Sequence, residues 1–181
     1  RNDHLTQGPI LHILITTLRC NLQCRYCHAS RKGMGREGFD MTPETARQAL
    51  DVIFQSPAPE LTIEFQGGEP LVNFDVVRQV VQDAYARADA EGRQVAFTLV
   101  SNLTLLDDEK LDFLVDHGVM ICTSIDGPKA LHDKNRPMVG RSSHDDALRW
   151  MERINAAYEE RGLDTSLAYV NALATISRDT L

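Results

Sequence analysis

Long apolar runs are missing from this sequence. No stretch approaches the roughly 18 consecutive apolar residues that a membrane-spanning helix requires, and we expect no signal peptide. Positive charge is also in short supply, because 19 Lys and Arg residues stand against 26 Asp and Glu residues, a net charge of -7. We therefore expect no membrane anchor, and the acidic balance disfavours general binding to nucleic acid or to a membrane surface.

Cysteine is scarce and unevenly placed. The chain has four cysteines, of which Cys20, Cys24 and Cys27 are clustered and Cys122 is remote. A secreted disulfide scaffold would be smaller and denser in cysteine, so we expect a reducing compartment, the cytoplasm. Cys122 alternates with Ser124 along a predicted strand and is expected to be a buried free thiol.

The length of 181 residues suits one domain, or most of one. With 43% hydrophobic and 25% charged residues, the composition supports a sizeable core. The chain starts at Arg1 rather than Met and ends just after a strand-like run. We expect it to be a piece of a longer protein.

Five short apolar segments predict β-strands, and four amphipathic patterns between them predict helices. The first segment is apolar almost throughout, which is typical of a strand buried on both faces. We expect strands over residues 9–16, 61–65, 95–100, 119–125 and 166–176. Helix N-caps are expected at Thr42, at Asp107 or Asp108 and at Ser143, a helix end at Gly92, and a long polar loop before Ser143.

This alternation predicts parallel βαβ units, and hence an α/β fold. An open doubly wound sheet and a partial α/β barrel both remain possible on the count of elements. In either arrangement ligands gather at the C-terminal ends of the strands. The cysteine loop, the turn from Gln66 to Pro70, Ser101-Asn102 and the segment from Ser124 to Asp126 all follow predicted strands, so we expect them to build one site.

The clustered cysteines have the spacing C-x3-C-x2-C, which favours a [4Fe-4S] cluster with one iron free of protein ligands. Zinc bound by the three cysteines and His28 is an alternative, although adjacent residues such as Cys27 and His28 rarely bind one tetrahedral ion. A dithiol pair of Cys24 and Cys27 is a second alternative. No acidic residue lies between Leu18 and Arg36, and cations in this stretch would offset the charge of a thiolate cluster: Arg19, Arg25, Arg31, Lys32 and Arg36.

Two further segments carry candidate ligand contacts. Gly67 and Gly68 would let a ligand approach the backbone closely, and Glu69 would suit a cationic group; a tight strand-to-helix turn explains the same residues structurally. Ser124 and Asp126 could hydrogen-bond a ribose or an amino acid, or cap the following turn. Arg136, in the predicted loop, is a candidate clamp for a carboxylate.

Taken in order, these motifs resemble the radical S-adenosylmethionine (SAM) superfamily, over nearly the whole chain from Ile10 to about Ile176. The set is similar to the branch that modifies peptides and proteins, which includes anaerobic sulfatase-maturating enzymes. The amino-acid sequence around Cys27-His28 and Gly67-Gly68 resembles that of the His-Xaa-Ser system maturases. The four motifs are the cysteine loop with Tyr26 before its third cysteine, Gly67-Gly68-Glu69-Pro70, Ser124-Ile125-Asp126-Gly127-Pro128 and His132-Asp133-Lys134-Asn135-Arg136.

The resemblance implies a partial (β/α)6 barrel truncated after about five strands. Residues 1–181 would form the radical SAM core domain, without its sixth strand or any C-terminal domain with auxiliary clusters. It also implies a ligand set: Cys20, Cys24 and Cys27 bind three irons, the backbone of Tyr26 lies near the SAM adenine, Gly67, Gly68 and Glu69 meet the methionine ammonium, and Ser124 and Arg136 contact the ribose and the carboxylate. One departure is Ser101-Asn102-Leu103, where the family often has Thr-Asn-Gly.

The implied activity is reductive cleavage of SAM at the cluster, giving methionine and a 5′-deoxyadenosyl radical that abstracts hydrogen from a peptide or protein substrate during post-translational maturation. An electron donor such as flavodoxin or ferredoxin is implied as a partner, and no residue is assignable as a catalytic acid or base. Two alternatives stay open: a radical SAM enzyme acting on RNA or a small metabolite, and a zinc or redox binding module.

Overall fold

Strands and helices alternate along the chain in the computed structural model, which describes residues 8–164 and 169–176. A short 3-10 helix, Pro70–Asn73, follows the second strand. The strands are β1 (Leu11–Thr17), β2 (Glu60–Gly67), β3 (Gln94–Val100), β4 (Val119–Ser124) and β5 (Asn171–Leu173). The helices are α1 (Pro43–Ile53), α2 (Phe74–Glu91), α3 (Asp108–Asp116), α4 (Lys129–Asn135) and α5 (Ser143–Glu160).

The five strands form one parallel sheet in the order β1-β2-β3-β4-β5. A doubly wound sheet reverses its strand order at a switch point, whereas this sheet adds each strand beside the one before it. The sequential order therefore decides between the two arrangements left open by the sequence. The predicted partial α/β barrel is confirmed.

One face of the sheet packs against the helices and forms the core. Ile63, Phe65, Phe97 and Leu99 are completely buried there, and the rings of Phe65 and Phe97 stack with centroids 6.0 Å apart. Burying such side chains contributes about 1.5–3 kcal/mol each. This layer of side chains holds the strand ends in place, and the site described below depends on them.

The prediction that β1 is buried on both faces is wrong. Leu14 packs into the core. Three apolar residues on the opposite face are about half exposed to solvent: Leu11 (51%), Ile13 (51%) and Ile15 (43%). Buried and exposed side chains alternate along most of this apolar run, since consecutive side chains of a strand point to opposite faces. The side of β1 that carries Ile13 and Ile15 belongs to the open, concave face of the partial barrel.

Most of the predicted helix boundaries are confirmed. The Thr42 side chain accepts a hydrogen bond from the Thr45 amide, and Asp107 does the same for Lys110. Gly92 ends α2 with a positive φ of 63°. The N-cap of α5 is Ser142, however, one residue before the predicted Ser143.

The long polar loop predicted before Ser143 contains a helix, α4. Its seven residues lie between Pro128 and Pro137 and are too few to show an apolar period, so the pattern of the sequence did not reveal it. The strand predicted over residues 166–176 is shorter, Asn171–Leu173, and residues 165–168 lie outside the described part. Within that part, no helix is both long and apolar enough to cross a bilayer.

Candidate functional site

The C-terminal ends of the strands surround a cavity of about 660 Å³. Its wall is formed by the cysteine loop after β1, the glycine turn after β2, and the ends of β3, β4 and β5. A volume of this size is typical of sites for small molecules and cofactors. All nine residues predicted as cofactor ligands or contacts line it: Cys20, Cys24, Cys27, Tyr26, Gly67, Gly68, Glu69, Ser124 and Arg136.

The three clustered cysteines differ in exposure. Cys20 is buried, Cys24 is half-buried and Cys27 is exposed. Burial raises the pKa of Cys20 to about 11, and burial also raises the pKa of Cys24, against the opposing effect of the Arg136 charge. Metal ligation deprotonates thiols. Binding of a metal centre would therefore have to offset the energetic cost of ionising the buried Cys20 thiol.

The Cys20 sulfur is oriented by neighbouring polar groups. The Leu22 amide donates to it at 3.4 Å, and the Asn102 side-chain amide donates at 3.8 Å. Asn102 also donates to the Asn21 side chain at 3.1 Å, so the end of β3 supports the cysteine loop directly. The sequence placed Asn102 at the site but did not suggest this contact.

The placement of the cysteines fits a cluster better than a single ion. Among residues 8–164 and 169–176, no three His, Cys, Asp or Glu side chains converge on a point where they could bind one metal ion. A tetrahedral zinc site needs such convergence, and His28 is exposed. A [4Fe-4S] cluster instead takes each cysteine on a different iron, which suits three cysteines spread along one cavity wall.

Cys122 is confirmed as a buried free thiol. It lies at the edge of the same cavity, on the open face of the sheet with Glu64, Gln66 and Thr98. These polar side chains were not singled out from the sequence. The alternation of Glu64 and Gln66 with the buried Ile63 and Phe65 is the signal that could have revealed them.

The two glycines of the turn after β2 are required by a crossing of backbones. A Cβ atom added to Gly67, whose φ is 152°, would lie 2.1 Å from the Thr17 carbonyl oxygen. One added to Gly68 would lie 2.3 Å from the Arg19 carbonyl oxygen. The amides of Gly68 and Glu69 donate to these same carbonyls at 2.7 and 2.9 Å. The sequence suggested close approach by a ligand, whereas the close neighbour in the structure is the cysteine loop itself.

Glu69 is a buried carboxylate, 1% exposed, that no cation contacts within the described residues. Its oxygens accept hydrogen bonds from the Ser101 hydroxyl and the Asn102 amide, both at 2.8 Å, and from the Leu71 amide at 3.1 Å. Burial nevertheless raises the pKa of Glu69 to about 7. A ligand with a positive charge would favour the ionised form.

Because the pKa of Glu69 is raised on folding from 4.5 to about 7, the folded state holds this proton more tightly than the unfolded state. The contribution of Glu69 to the free energy of unfolding should therefore be largest below pH 4.5 and fall by about 3 kcal/mol as pH rises from 4.5 through 7. Urea denaturation from pH 4.5 to 8 measures this slope. The difference between the wild type and Glu69→Gln isolates it from other groups, and a difference independent of pH would contradict the assignment.

The turn after β3 has Leu103 where the radical SAM superfamily, which the sequence resembles, often has glycine. Leu103 adopts a φ of 62°, a left-handed conformation that costs a non-glycine residue about 1–2 kcal/mol. Its side chain is completely buried, and this burial stabilises the fold by about 1.5–3 kcal/mol. The departure at Leu103 thus leaves Ser101 and Asn102 positioned to bind Glu69.

Asp126, just after β4, links its own segment to three others: the cysteine loop, the end of α4 and the segment after β5. Its carboxylate accepts hydrogen bonds from the Tyr26 hydroxyl, from Arg136 Nε at 3.0 Å and from the Thr175 amide at 3.2 Å. Burial opposes ionisation, but the hydrogen bonds from Arg136 and Tyr26 outweigh it and hold the pKa of Asp126 below its usual value. The Asp126 amide donates to His132 Nδ1 at 3.3 Å.

Arg136 is therefore only partly available to a ligand. It is 8% exposed, it forms an ion pair with Asp126, and its guanidinium lies 5.2 Å from the centre of the Tyr26 ring. The sequence suggested that Arg136 is a carboxylate clamp in a long polar loop. The structure instead holds Arg136 rigidly at the end of α4, where it lines the cavity.

Asp133, in the same motif, has a structural role. Its carboxylate accepts hydrogen bonds from the Ser142 and Ser143 hydroxyls and from the His144 amide, so it caps the start of α5. The backbone carbonyl of Asn135 accepts a hydrogen bond from the Arg25 amide at 2.9 Å. The motif after β4 thus anchors the cysteine loop on one side and α5 on the other.

The comparison with family models is decisive, since the model of the radical SAM superfamily matches residues 14–169. The chain belongs to the radical SAM superfamily. Membership confirms the cofactors predicted from the sequence, an iron-sulfur cluster and SAM. The individual contacts of this radical SAM chain with those cofactors stay predictions.

Curated relatives support the same placement. An uncharacterized protein of Methanocaldococcus jannaschii is 31% identical over 160 residues, which are 88% of this chain and 53% of that protein. A serine-type anaerobic sulfatase-maturating enzyme of Klebsiella aerogenes is 32% identical over 162 residues, 82% of this chain and 38% of the enzyme. The predicted relationship to anaerobic sulfatase-maturating enzymes is confirmed, and the narrower likeness to His-Xaa-Ser system maturases stays a prediction.

A solved structure, native anSMEcpe with bound AdoMet, has the same fold as this radical SAM chain. The TM-score is 0.71 at 22% identity, over 91% of this chain and 43% of that one. The chain spans about half or less of the length of the curated relatives described above.

Proposed function

We propose that this chain is the cofactor-binding core of a radical SAM enzyme that modifies a peptide or protein, in a reducing compartment such as the cytoplasm. One observation carries the proposal: nine residues from four separate motifs line a single cavity at the strand ends. The relationship to enzymes named as sulfatase-maturating supports a peptide or protein as the substrate class.

Each part of the cavity has a distinct task in this proposal. Cys20, Cys24 and Cys27 hold three irons of the cluster, and the fourth iron is left to SAM. Glu69 pairs with the methionine ammonium, because it is a buried carboxylate whose other contacts are all neutral donors. When bound, the cluster and SAM supply a 5′-deoxyadenosyl radical; the protein positions them and excludes water.

Ser124 and Arg136 complete the SAM site in this proposal. Ser124 is half-buried on the cavity wall and can hydrogen-bond the ribose. Arg136 offers its charge to the carboxylate while its ion pair with Asp126 keeps the guanidinium fixed. Tyr26 is held by the same aspartate, so one acidic side chain positions two of the proposed SAM contacts.

Anaerobic reconstitution of the full-length protein with iron and sulfide tests the proposal. We expect a brown protein with at least about four irons per chain that forms 5′-deoxyadenosine from SAM once reduced. A colourless protein that binds one zinc ion would contradict it. Adding a peptide digest of the host proteome should stimulate 5′-deoxyadenosine formation, and stimulation by total RNA but not by peptides would overturn the substrate class.

A further inference from the structure

The floor of the cavity is the concave face of the sheet, and one charged side chain stands on it. Alternate residues of the strands point to this face. Glu64 on β2 is the only residue of the described strands that lines the cavity and carries a charge at neutral pH. The proposed contacts with the cluster and SAM do not use it. The strand residues around it are uncharged, among them Gln66, Thr98, Val100 and Leu173.

Glu64 is half-buried and has no cation beside it. Its carboxylate accepts a hydrogen bond from the Gln66 side-chain amide, and it forms no ion pair with any residue that the structure describes. The two arginines that line the same cavity do not compensate it. Arg136 is paired with Asp126, and Arg31 belongs to the segment after the cysteines. The negative charge of Glu64 is therefore available to a ligand.

The neighbouring strands also leave this charge uncompensated. Ile13 on β1 and Thr98 on β3 lie opposite Glu64 in the parallel register, so an aliphatic group stands on one side of it and a hydroxyl on the other. The charge acts across the floor as well. Burial raises the pKa of Cys122 on β4, and the negative charge of Glu64 raises it further. The floor is thus negative, although neutral side chains form most of it.

The polar groups next to Glu64 add further hydrogen-bond acceptors. Because the Gln66 amide nitrogen donates to Glu64, the Gln66 carbonyl oxygen is left for a donor from a ligand. The Thr98 hydroxyl has no hydrogen-bond partner within the described residues and can accept as well. Ammonium and guanidinium groups are donors that contain no acceptor, so they match this set of oxygens. A carboxylate or phosphate would bring its own oxygens against the Glu64 carboxylate.

Nearer the strand ends, the lining of the cavity is partly apolar. Val100 follows Thr98 on the same face of β3 and is half-buried, and Leu173 lines the cavity from β5. Lysine and arginine side chains combine an apolar stem with a cationic tip. Such a stem can pack on Val100 while its tip reaches Glu64, and the peptide backbone then stays at the strand ends.

We propose that Glu64 binds a lysine or arginine side chain of the substrate peptide, with Gln66 and Thr98 as supporting acceptors. The inference rests on the proposed function, since it names a feature of the same peptide substrate. Glu64 differs in this from Glu69, which is 1% exposed and accepts hydrogen bonds from three groups of its own chain. The role of Glu64 is to determine which peptide binds.

The test measures which short peptides bind to the reconstituted full-length protein in the presence of SAM. Each peptide pool is randomised without Lys, Arg or His, is acetylated and amidated at its ends, and carries one fixed central residue: lysine, arginine, norleucine or glutamate. Affinity selection with mass spectrometry measures retention of each pool. For the wild type, we expect the lysine and arginine pools to be retained at least about 10-fold better than the norleucine pool. The same pools should stimulate 5′-deoxyadenosine formation most.

Substitutions of Glu64 should change which pool is retained. Glu64→Gln keeps the shape of the side chain and removes its charge, so the preference over norleucine should disappear. Glu64→Lys should favour the glutamate pool, and Glu64→Asp, which keeps the charge, should keep part of the original preference. The matched control is Glu60→Gln, on the same face of β2 but exposed and outside the cavity lining; it should behave as the wild type. Cluster content shows whether each variant is folded.

The outcomes separate the role of Glu64 from the proposed function. Equal retention of the lysine and norleucine pools by the wild type, or an unchanged preference in Glu64→Gln, would overturn the role of Glu64 alone if a peptide digest still stimulates 5′-deoxyadenosine formation. A norleucine pool with a free amino terminus that is retained as well as the lysine pool would overturn the assignment to a side chain. A protein that assembles no cluster, or that free lysine or arginine stimulates while no peptide does, would overturn the proposed function and the role of Glu64 with it.

Discussion

Replacing Cys24 by alanine should abolish both the cluster and SAM cleavage. Three cysteines line the wall and none of the other described His, Cys, Asp or Glu side chains joins them to form a compact metal-binding group, so the loss of one ligand leaves an iron without its thiolate. Relative to the wild type we expect the iron and sulfide contents after reconstitution to fall by about four per chain, with a matching loss of charge-transfer absorbance, and 5′-deoxyadenosine below detection.

The matched control is Cys122→Ala. This cysteine lines the same cavity from β4 and is a free thiol. Its replacement removes one sulfur from a buried position and should cost about 1 kcal/mol of stability. Cluster content should equal that of the wild type. Retention of a full cluster by Cys24→Ala, or its loss in Cys122→Ala, would show that the ligand set is wrong.

Replacing Gly68 by alanine should destabilise the protein by about 3 kcal/mol or more. The new Cβ would lie 2.3 Å from the Arg19 carbonyl oxygen and 2.6 Å from that of Leu18, and both are backbone atoms that cannot swing away. Relief requires the turn and the cysteine loop to separate, which breaks the hydrogen bond from the Glu69 amide to Arg19. Urea denaturation measures the cost, and cluster content reports the displacement of the loop.

Gly33 is the matched control for Gly68. It lies in the basic stretch that follows the cysteine loop, and a Cβ added to it meets nothing within 4 Å. Gly33→Ala should change the free energy of unfolding by less than about 1 kcal/mol, with a small gain from the reduced freedom of the unfolded chain. Equal losses of stability in the Gly33 and Gly68 variants would contradict the importance of the backbone crossing.

Local signals in the sequence were sufficient for much of the fold. Thr42, Asp107 and Gly92 act through the first or last turn of their own helix, so neighbouring residues determine their conformations, and these predictions are confirmed. Helix α4 and the exact cap of α5 were missed. Seven residues between two prolines carry no apolar period, and Ser142 becomes the cap because Ser143 bonds instead to the Arg136 carbonyl.

The candidate site was predictable as a set of residues but not as a set of contacts. The strand ends converge because the sheet is parallel, which the order of elements already implies. The partners of Arg136 and the reason for Gly67 and Gly68 depend on segments distant in sequence. Asp126 precedes Arg136 by ten residues, and the glycines cross a loop about fifty residues upstream. Composition and spacing do not encode such pairings.

The backbone hydrogen bonds from Gly68 and Glu69 to Thr17 and Arg19 join the proposed cluster-binding loop and the turn proposed to bind the methionine part of SAM into one cooperative unit. Order imposed on one loop lowers the entropic cost of ordering the other, and this coupling is reciprocal by thermodynamic necessity. The amide protons of Gly68 and Glu69 thus report, by their rate of exchange with solvent, on a cluster that they do not touch. A chain without its cluster is accordingly expected to bind SAM weakly even when every SAM contact is intact.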